Sequence, residues 1–243
     1  MHYRDKLPYI QKQYNLLRQL EQHFRSQLNL TPCVGVELEF YIHGAVDIIL
    51  LKENIGHAVK TEKGQNQYEI NIQPSQDLVT YAKYIDEIRK KIIHFSDKLG
   101  GRADFSSKPF ADDYGSSMHI HLNFPEDDDI EKYAKILCHY LPDTLDYFLP
   151  NLKDYARLDS KFMAPTHISY GGNNRSVLIR IPDSEPKRLE HRLAGANAEP
   201  VLVIYAMLQS IKKGLQNPDA IPPLEKIFGN AFDPQYGLRK IIP

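Results

Sequence analysis

The chain has no tryptophan, two cysteines and no apolar run approaching the roughly 20 residues that would span a bilayer. Cys33 and Cys138 stand far apart with no CxxC pair. That excludes a disulfide framework and a thiolate metal site as first readings and makes a reducing compartment the simplest setting. An excess of one charge is also lacking. Lys+Arg 30 against Asp+Glu 31 leaves a formal net charge of −1, which gives no reason to expect nucleic acid or an anionic membrane as a partner. The opening stretch, MHYRDKLPYIQKQYNLL, lacks the charged, apolar, small-residue order of a signal peptide. A soluble, cytoplasmic protein is the expectation. No GxxxxGK[ST], GxGxxG or GxSxG occurs, so a phosphate loop, a dinucleotide fold and a hydrolase elbow have no sequence support. The acidic run Glu126-Asp127-Asp128-Asp129 reads as a solvated loop and helix start.

What is present suffices for one large folded unit: 243 residues, 42% of them hydrophobic. Apolar positions at Ile10, Tyr14, Leu17, Leu20, Phe24 and Leu28 predict a first helix, ended by Thr31-Pro32. Two further helices are expected at Leu78 to Leu99, before Gly100-Gly101, and at Ala198 to Leu215. Another is expected at Ile130 to Phe148, broken by Pro142. Strands are expected from Val36 to Ile42, Tyr68 to Ile72, Ala103 to Lys108, Met118 to Asn123, Thr166 to Tyr170, Ser176 to Ile181 and Arg188 to Leu193. Val46 to Leu51 is expected to pair with the first of them as a hairpin. Strands and helices do not alternate one for one, so a parallel α/β fold is not expected. An α+β fold is, with a mainly antiparallel curved sheet and helices packed on one face, as a single domain over 1–243.

The polar residues of these strands follow the strand period of two. In VELEF, Glu37 and Glu39 face one way while Val36, Leu38, Phe40 and Ile42 face the other. Glu62 lies in a polar loop and Glu69 on the strand after it. His119 and His121 share a side, as do Arg188, Glu190 and Arg192. Taken singly, each pattern has an ordinary explanation as a solvated face or a surface ion pair. Together, five glutamates and a histidine on one sheet face would repel unless cations sat between them, and a carboxylate-rich set with one imidazole suits Mg²⁺ or Mn²⁺. The arginines beside them would hold phosphate or carboxylate.

In this order, the segments resemble the catalytic domain of the glutamine synthetase family. GVELEFYI is similar to that family's GPELEFF strand, and EKGQNQYEINI to its EVAPGQxEI. ADFSSKPFADDYGSSMHIHLNF is similar to ATFMPKPxxGxxGSGMHxHxSL. NNRSVLIRIP resembles NRSAxIRIP, and KRLEHRLAGANAEPVLVIYAML resembles RxEVRxxDPAANPYLAxAAML. The resemblance runs from about Leu16 to Leu208.

It implies two metal sites, Glu39 with Glu62 and Glu69, and Glu37 with His119 and Glu190. It also implies ATP as co-substrate and at least two Mg²⁺ or Mn²⁺ ions. Arg175, Arg180 and Arg188 match arginines that bind ATP phosphates and stabilise phosphoryl transfer. Arg157 and Arg192 match those that hold amino-acid carboxylates, Gly115 matches a substrate-contacting glycine, and His121 and Asn123 match the lining of the nucleotide pocket. Parity puts Arg175 in the loop before the strand of Arg180, because residues five apart cannot both face inward.

Three departures from the family pattern stand out. Met163 replaces the glutamate that helps capture ammonium, in LDSKFMAP where the family has LVPGxEAP. Tyr114 replaces an asparagine beside the amino-acid substrate. The family's N-terminal β-grasp domain is expected to be absent. The expectation is therefore an ATP-dependent carboxylate–amine ligase working through an acyl phosphate, on small-molecule acids and amines other than ammonium, with a homo-oligomer as its assembly. The alternative is a catalytically degenerate protein that binds nucleotide or amino acid in a regulatory role.

Overall fold

A computed structural model describes residues 3–242, with side chains from residue 11 onward. Residues 1, 2 and 243 of the expected 1–243 unit, and the side chain of Ile10 in the predicted stripe, lie outside these. The first helix, α1 (Tyr3–Gln27), buries Tyr14, Leu17, Leu20 and Phe24. It closes before Thr31-Pro32. Asn29 takes a left-handed φ of 53°, and the amides of Leu28 and Leu30 both donate to the Phe24 carbonyl, at 3.2 and 3.1 Å.

Strand β1 (Cys33–His43) lies inside the sheet. After it come helix α2 (Ile48–Ile55) and strands β2 (Val59–Thr61) and β3 (Gln67–Ser75). Helix α3 (Leu78–Lys98) leads to β4 (Arg102–Asp104) and β5 (Met118–Asn123), followed by helix α4 (Ile130–Phe148). The last elements are β6 (Tyr170–Gly171), β7 (Ile179–Arg180), β8 (Leu189–His191), helix α5 (Pro200–Gln216) and β9 (Lys226–Ile227).

The sheet runs β2-β3-β1-β5-β8-β7-β6-β9, with β4 paired to β1 off this path. It is antiparallel except where β6 meets β7 and β9. Val36, Leu38, Phe40 and Ile42 join one apolar core with the buried sides of α1, α3, α4 and α5. Helix α5 packs against α1, α3 and α4. Each such side chain contributes about 1.5–3 kcal/mol on burial. A one-residue slip of β1 would therefore lose that gain and drive Glu37 and Glu39 into the core, so the register that points them outward is strongly fixed.

Two expectations fail. Val46 to Leu51 is no hairpin strand; most of it is the start of α2. The Asp47 carboxylate caps the amides of Ile49 and Leu50, and Gly56 ends the helix at a φ of 72°. The place beside His43 goes to β4 instead. Nor does Pro142 break α4, which continues to Phe148. A proline inside a helix costs about 3 kcal/mol. Here Leu137, Cys138, Leu141 and Phe148 on either side of it are buried against the core, and that burial offsets the cost.

Four of the expected strands are also shorter than their apolar patterns. Only Ile179–Arg180, Leu189–His191 and, at the end of the Thr166 to Tyr170 stretch, Tyr170–Gly171 pair as strand. The Ala103 to Lys108 strand stops at Asp104, whose carboxylate accepts from the Ser106 amide at 2.8 Å.

The α4–α5 contact is tight at Gly214, where an added Cβ would lie 2.5–2.8 Å from three side-chain carbons of Ile136. Gly214→Ala is expected to destabilise the fold by about 1–3 kcal/mol through overpacking. Urea unfolding of a double-mutant cycle should show Gly214→Ala costing less when Ile136 is already alanine than in the unaltered protein.

Candidate active site

The sheet register assembles the polar face. Glu39 sits opposite Glu69 and Glu37 opposite Asn71 across β1 and β3. On the other side of β1, Glu37 faces His119 on β5. Glu190 of β8 then lies between His121 and Arg180. Above this face opens a cavity of about 330 Å³, lined by Glu37, Glu39, Glu62, Glu69, His119 and Glu190. The same cavity is bordered by Arg157, Arg175, Arg180 and Arg192, and by Tyr114, Gly115 and Met163. The remaining predicted site residues, His121, Asn123 and Arg188, line a neighbouring cavity of about 600 Å³. Glu37 and Asn71 belong to both cavities and form the wall between them. Arg175 lies in the turn before β7, as parity requires.

The two carboxylate groups differ in their surroundings. One oxygen or nitrogen from each of Glu37, His119 and Glu190 lies within 4.8 Å of the others. His119 Nδ1 is 3.3 Å from Glu37 and 3.7 Å from Glu190, and His121 Nε2 is 3.2 Å from Glu37. Burial works to raise the Glu37 carboxyl, but His119, hydrogen-bonded to it, and the imidazole of His121 close by hold it far below the usual carboxylate range. Glu190 is 2% exposed and receives Arg180 at 2.7 Å and Arg192 at 3.1 Å. Against its burial, His119 and Arg192 keep it low. Glu39 accepts from the Ser117 amide at 2.8 Å and the Ser117 hydroxyl at 2.6 Å.

Glu69 is pushed up to about 7, first by burial and then by Glu37, Glu39 and Glu62. Burial and Glu39 likewise raise Glu62. These two acids repel each other and Glu39, a repulsion that His119 and Arg175 only partly offset at Glu62. A divalent cation would relieve it, and the oxygen-rich donor set with one imidazole fits Mg²⁺ or Mn²⁺.

Arg157 is 3% exposed and pushed down to about 10 by burial. One of its terminal nitrogens donates to the Leu193 carbonyl, and its Nε has no partner. Arg192 is held by Glu190 and by the Arg175 carbonyl. Gly115 runs so close to this pair of layers that a Cβ would lie 2.8 Å from the Ser107 carbonyl and 3.0 Å from Arg157 Cβ. In the larger cavity, Arg188 donates to His121 Nδ1 at 3.3 Å and to the carbonyls of Ser184 and Pro186.

Sequence reasoning missed the neutral residues of this face. Gln67 is 3% exposed; its amide nitrogen donates to the Gly115 carbonyl at 3.0 Å and reaches Glu39 at 3.5 Å, while its oxygen accepts from the Gly64 amide at 3.0 Å. It thus ties a cavity carboxylate to the loop of Glu62 and to the 113–116 segment. The signal was there. Gln67, Glu69 and Asn71 alternate along β3, and Ser117 precedes His119 by two, so the period that places the glutamates and histidines places these neutral donors as well.

The protein-family model for the catalytic domain of glutamine synthetase matches residues 47–240. Among characterised relatives, γ-glutamylputrescine synthetase of Escherichia coli strain K12 is 27% identical over 96% of this chain and 61% of its own length. Glutamine synthetase of Azotobacter vinelandii is 28% identical over 81% of this chain and 45% of its own length. Glutamate–isopropylamine ligase of a Pseudomonas species is 30% identical over 72% of this chain and 41% of its own length. The chain thus spans less than two thirds of these relatives. Of solved structures, GmaS in its ADP complex superposes with a TM-score of 0.78 at 19% identity, over 94% of this chain and 64% of that one. Glutamine synthetase of Plasmodium falciparum gives 0.72 at 16% identity, over 84% and 55%. At such identities the structures speak for the fold.

Proposed function

The chain belongs to the glutamine synthetase family, and from that premise we propose that it is an ATP-dependent carboxylate–amine ligase whose acceptor is an organic amine. One observation carries the reading: all six candidate metal ligands and four arginines converge on a single cavity that shares the Glu37 wall with a second cavity. Glu39, Glu62 and Glu69 would hold one divalent ion and Glu37, His119 and Glu190 another. Bound there, such ions supply charge neutralisation for a phosphoryl group passing between two anions.

The chain's own groups supply the rest. Arg157 and Arg192 hold the carboxylates of the acid. Arg175, Arg180 and Arg188 balance the charge of the ATP phosphates. His121 and Asn123 border the nucleotide. A carboxylate oxygen attacks the γ-phosphorus and ADP leaves. The amine nitrogen then attacks the acyl carbon, the C–O bond breaks, and inorganic phosphate departs as the nitrogen loses a proton. Relatives that join glutamate to isopropylamine or make γ-glutamylputrescine support an amine acceptor.

The test is ATP turnover with Mg²⁺ or Mn²⁺ across a matrix of amino acids and amines. Phosphate release that needs both substrates is expected. ATP binding without release for any pair would favour the regulatory alternative, and rapid glutamine formation from ammonium would contradict the acceptor. A binding measurement probes the supporting residues separately. Gln67→Leu keeps the volume but leaves Glu39 oriented by Ser117 alone, and is expected to weaken Mn²⁺ binding by about 10-fold, the lower end of the cost of losing a group that orients a ligand. Electron paramagnetic resonance of free Mn²⁺ reads this directly, and an unchanged affinity would remove the role.

A further inference from the structure

We infer that the acceptor is a primary amine with one nitrogen and an apolar body, which packs against a wall formed by Tyr114, Phe162 and Met163. This rests on the ligase reading and narrows it. Most of the lining of the smaller cavity is charged, but Phe162, Met163, Ala164 and Pro165 form a continuous stretch without a charge, and Tyr114 joins it. Tyr114 and Phe162 meet edge to face, with ring centroids 5.2 Å apart at 67°. Met163 holds a left-handed φ of 58°, uncommon away from glycine, at the end of a short turn that delivers it to the cavity. The acid brings carboxylates, for which the buried guanidiniums of Arg157 and Arg192 are suited. The uncharged wall is left to the other substrate.

The rim argues against a second cation in that substrate. Lys108 Nζ lies 3.8 Å and Lys161 Nζ 5.0 Å from the Phe162 ring centroid, and Lys63 Nζ lies 5.8 Å from that of Tyr114. Rings that could attract an ammonium therefore already face ammonium groups of the protein. Asp113 and Asp159, the carboxylates acting on Lys108, line neither cavity. Asp113 is taken by the amides of Tyr114 at 2.7 Å and Gln65 at 2.9 Å, and Asp159 by that of Lys161 at 2.9 Å. A distal ammonium would find no free carboxylate on this wall, whereas hydrocarbon would displace water from rings and a thioether.

The experiment is calorimetric titration of the full chain, with Mn²⁺, ADP and L-glutamate present, using isopropylamine, putrescine and ammonium in turn. Isopropylamine is expected to bind at least about ten-fold more tightly than either competitor, the scale of one methylene in an apolar pocket. Met163→Glu should move the isopropylamine-to-putrescine ratio at least about ten-fold toward putrescine, while Phe162→Leu keeps the preference for isopropylamine. Melting curves of both variants check their folding. Putrescine or ammonium binding to the unaltered protein as tightly as isopropylamine, or no isopropylamine binding, would overturn the inference. Binding in the expected order without turnover would support it and sink the ligase reading alone.

Discussion

Replacing Glu190 with glutamine is expected to lower ATP-dependent turnover by about 10³-fold or more, the scale seen when a group serving phosphoryl charge is removed. The side chain is 2% exposed and stands among His119, Arg180 and Arg192, so it governs both the candidate cation site and the posture of two arginines. Glutamine keeps the shape but removes the negative charge and offers one acceptor oxygen where the carboxylate offers one to Arg180 and another to Arg192. Turnover should therefore collapse, while the kept shape and one remaining acceptor oxygen hold the loss of stability below that of an alanine variant. Glu190→Ala differs, because it leaves Arg180 and Arg192 facing each other without their shared anion. Breaking a buried pair of this kind costs about 3–5 kcal/mol. Steady-state phosphate release and urea unfolding on both variants separate the two effects. Unchanged turnover in the glutamine variant would take Glu190 out of the mechanism.

Without divalent ions, the Glu69 contribution to stability, read as the difference between the protein and Glu69→Gln, is expected to fall as pH rises from about 4.5 toward 7, and Mn²⁺ to offset that fall increasingly over the same range. Glu69 titrates near 7 in the folded chain against an ordinary 4.5, so across that window the folded state holds a proton that the unfolded state has released. Its contribution is full below the unfolded value and is lost as pH passes the folded one, amounting to about 3 kcal/mol by linkage. Glu62 shifts in the same direction. A cation competes with protons for these oxygens, so its stabilisation grows with pH, reaching about 2.7 kcal/mol at a hundred times its dissociation constant. Melting in EDTA and in Mn²⁺ at pH 5, 6, 7 and 8 measures both slopes. Glu69→Gln should remove this falling component from the EDTA curve and leave the rise that buried His191, pushed down to about 3, contributes over the same range. A Mn²⁺ gain that is the same at every pH would contradict this origin.

The site was more legible in the sequence than the fold around it. Glu37, Glu39, Glu69, His119 and Glu190 sit on strands whose other face is apolar, so a period of two fixed their direction before any partner strand was known. Which strands neighbour one another was not legible from local pattern. The placing of Glu37 against His119, and of Glu190 between His121 and Arg180, depends on long-range pairing. The failed hairpin shows the limit of apolar runs. Val46 to Leu51 is rich in strand-favouring residues, but capping by Asp47 and Gly56 tips it into α2. Pro142 shows the converse, a strong local signal overridden by burial on both sides. Gln67 and Ser117 share the same period, each two residues from a candidate ligand, but a lone amide or hydroxyl carries no charge pattern to single it out.

Attack of a carboxylate oxygen on ATP within this cavity is the central step proposed, and isotope transfer tests it most directly. L-Glutamate carrying ¹⁸O in its γ-carboxylate, incubated with isopropylamine, ATP and Mn²⁺, should yield inorganic phosphate bearing one ¹⁸O, because the bridging oxygen leaves with phosphorus when the amine takes the acyl carbon. Phosphate released without ¹⁸O would mean that water, not the acid, receives the phosphoryl group, and would contradict it.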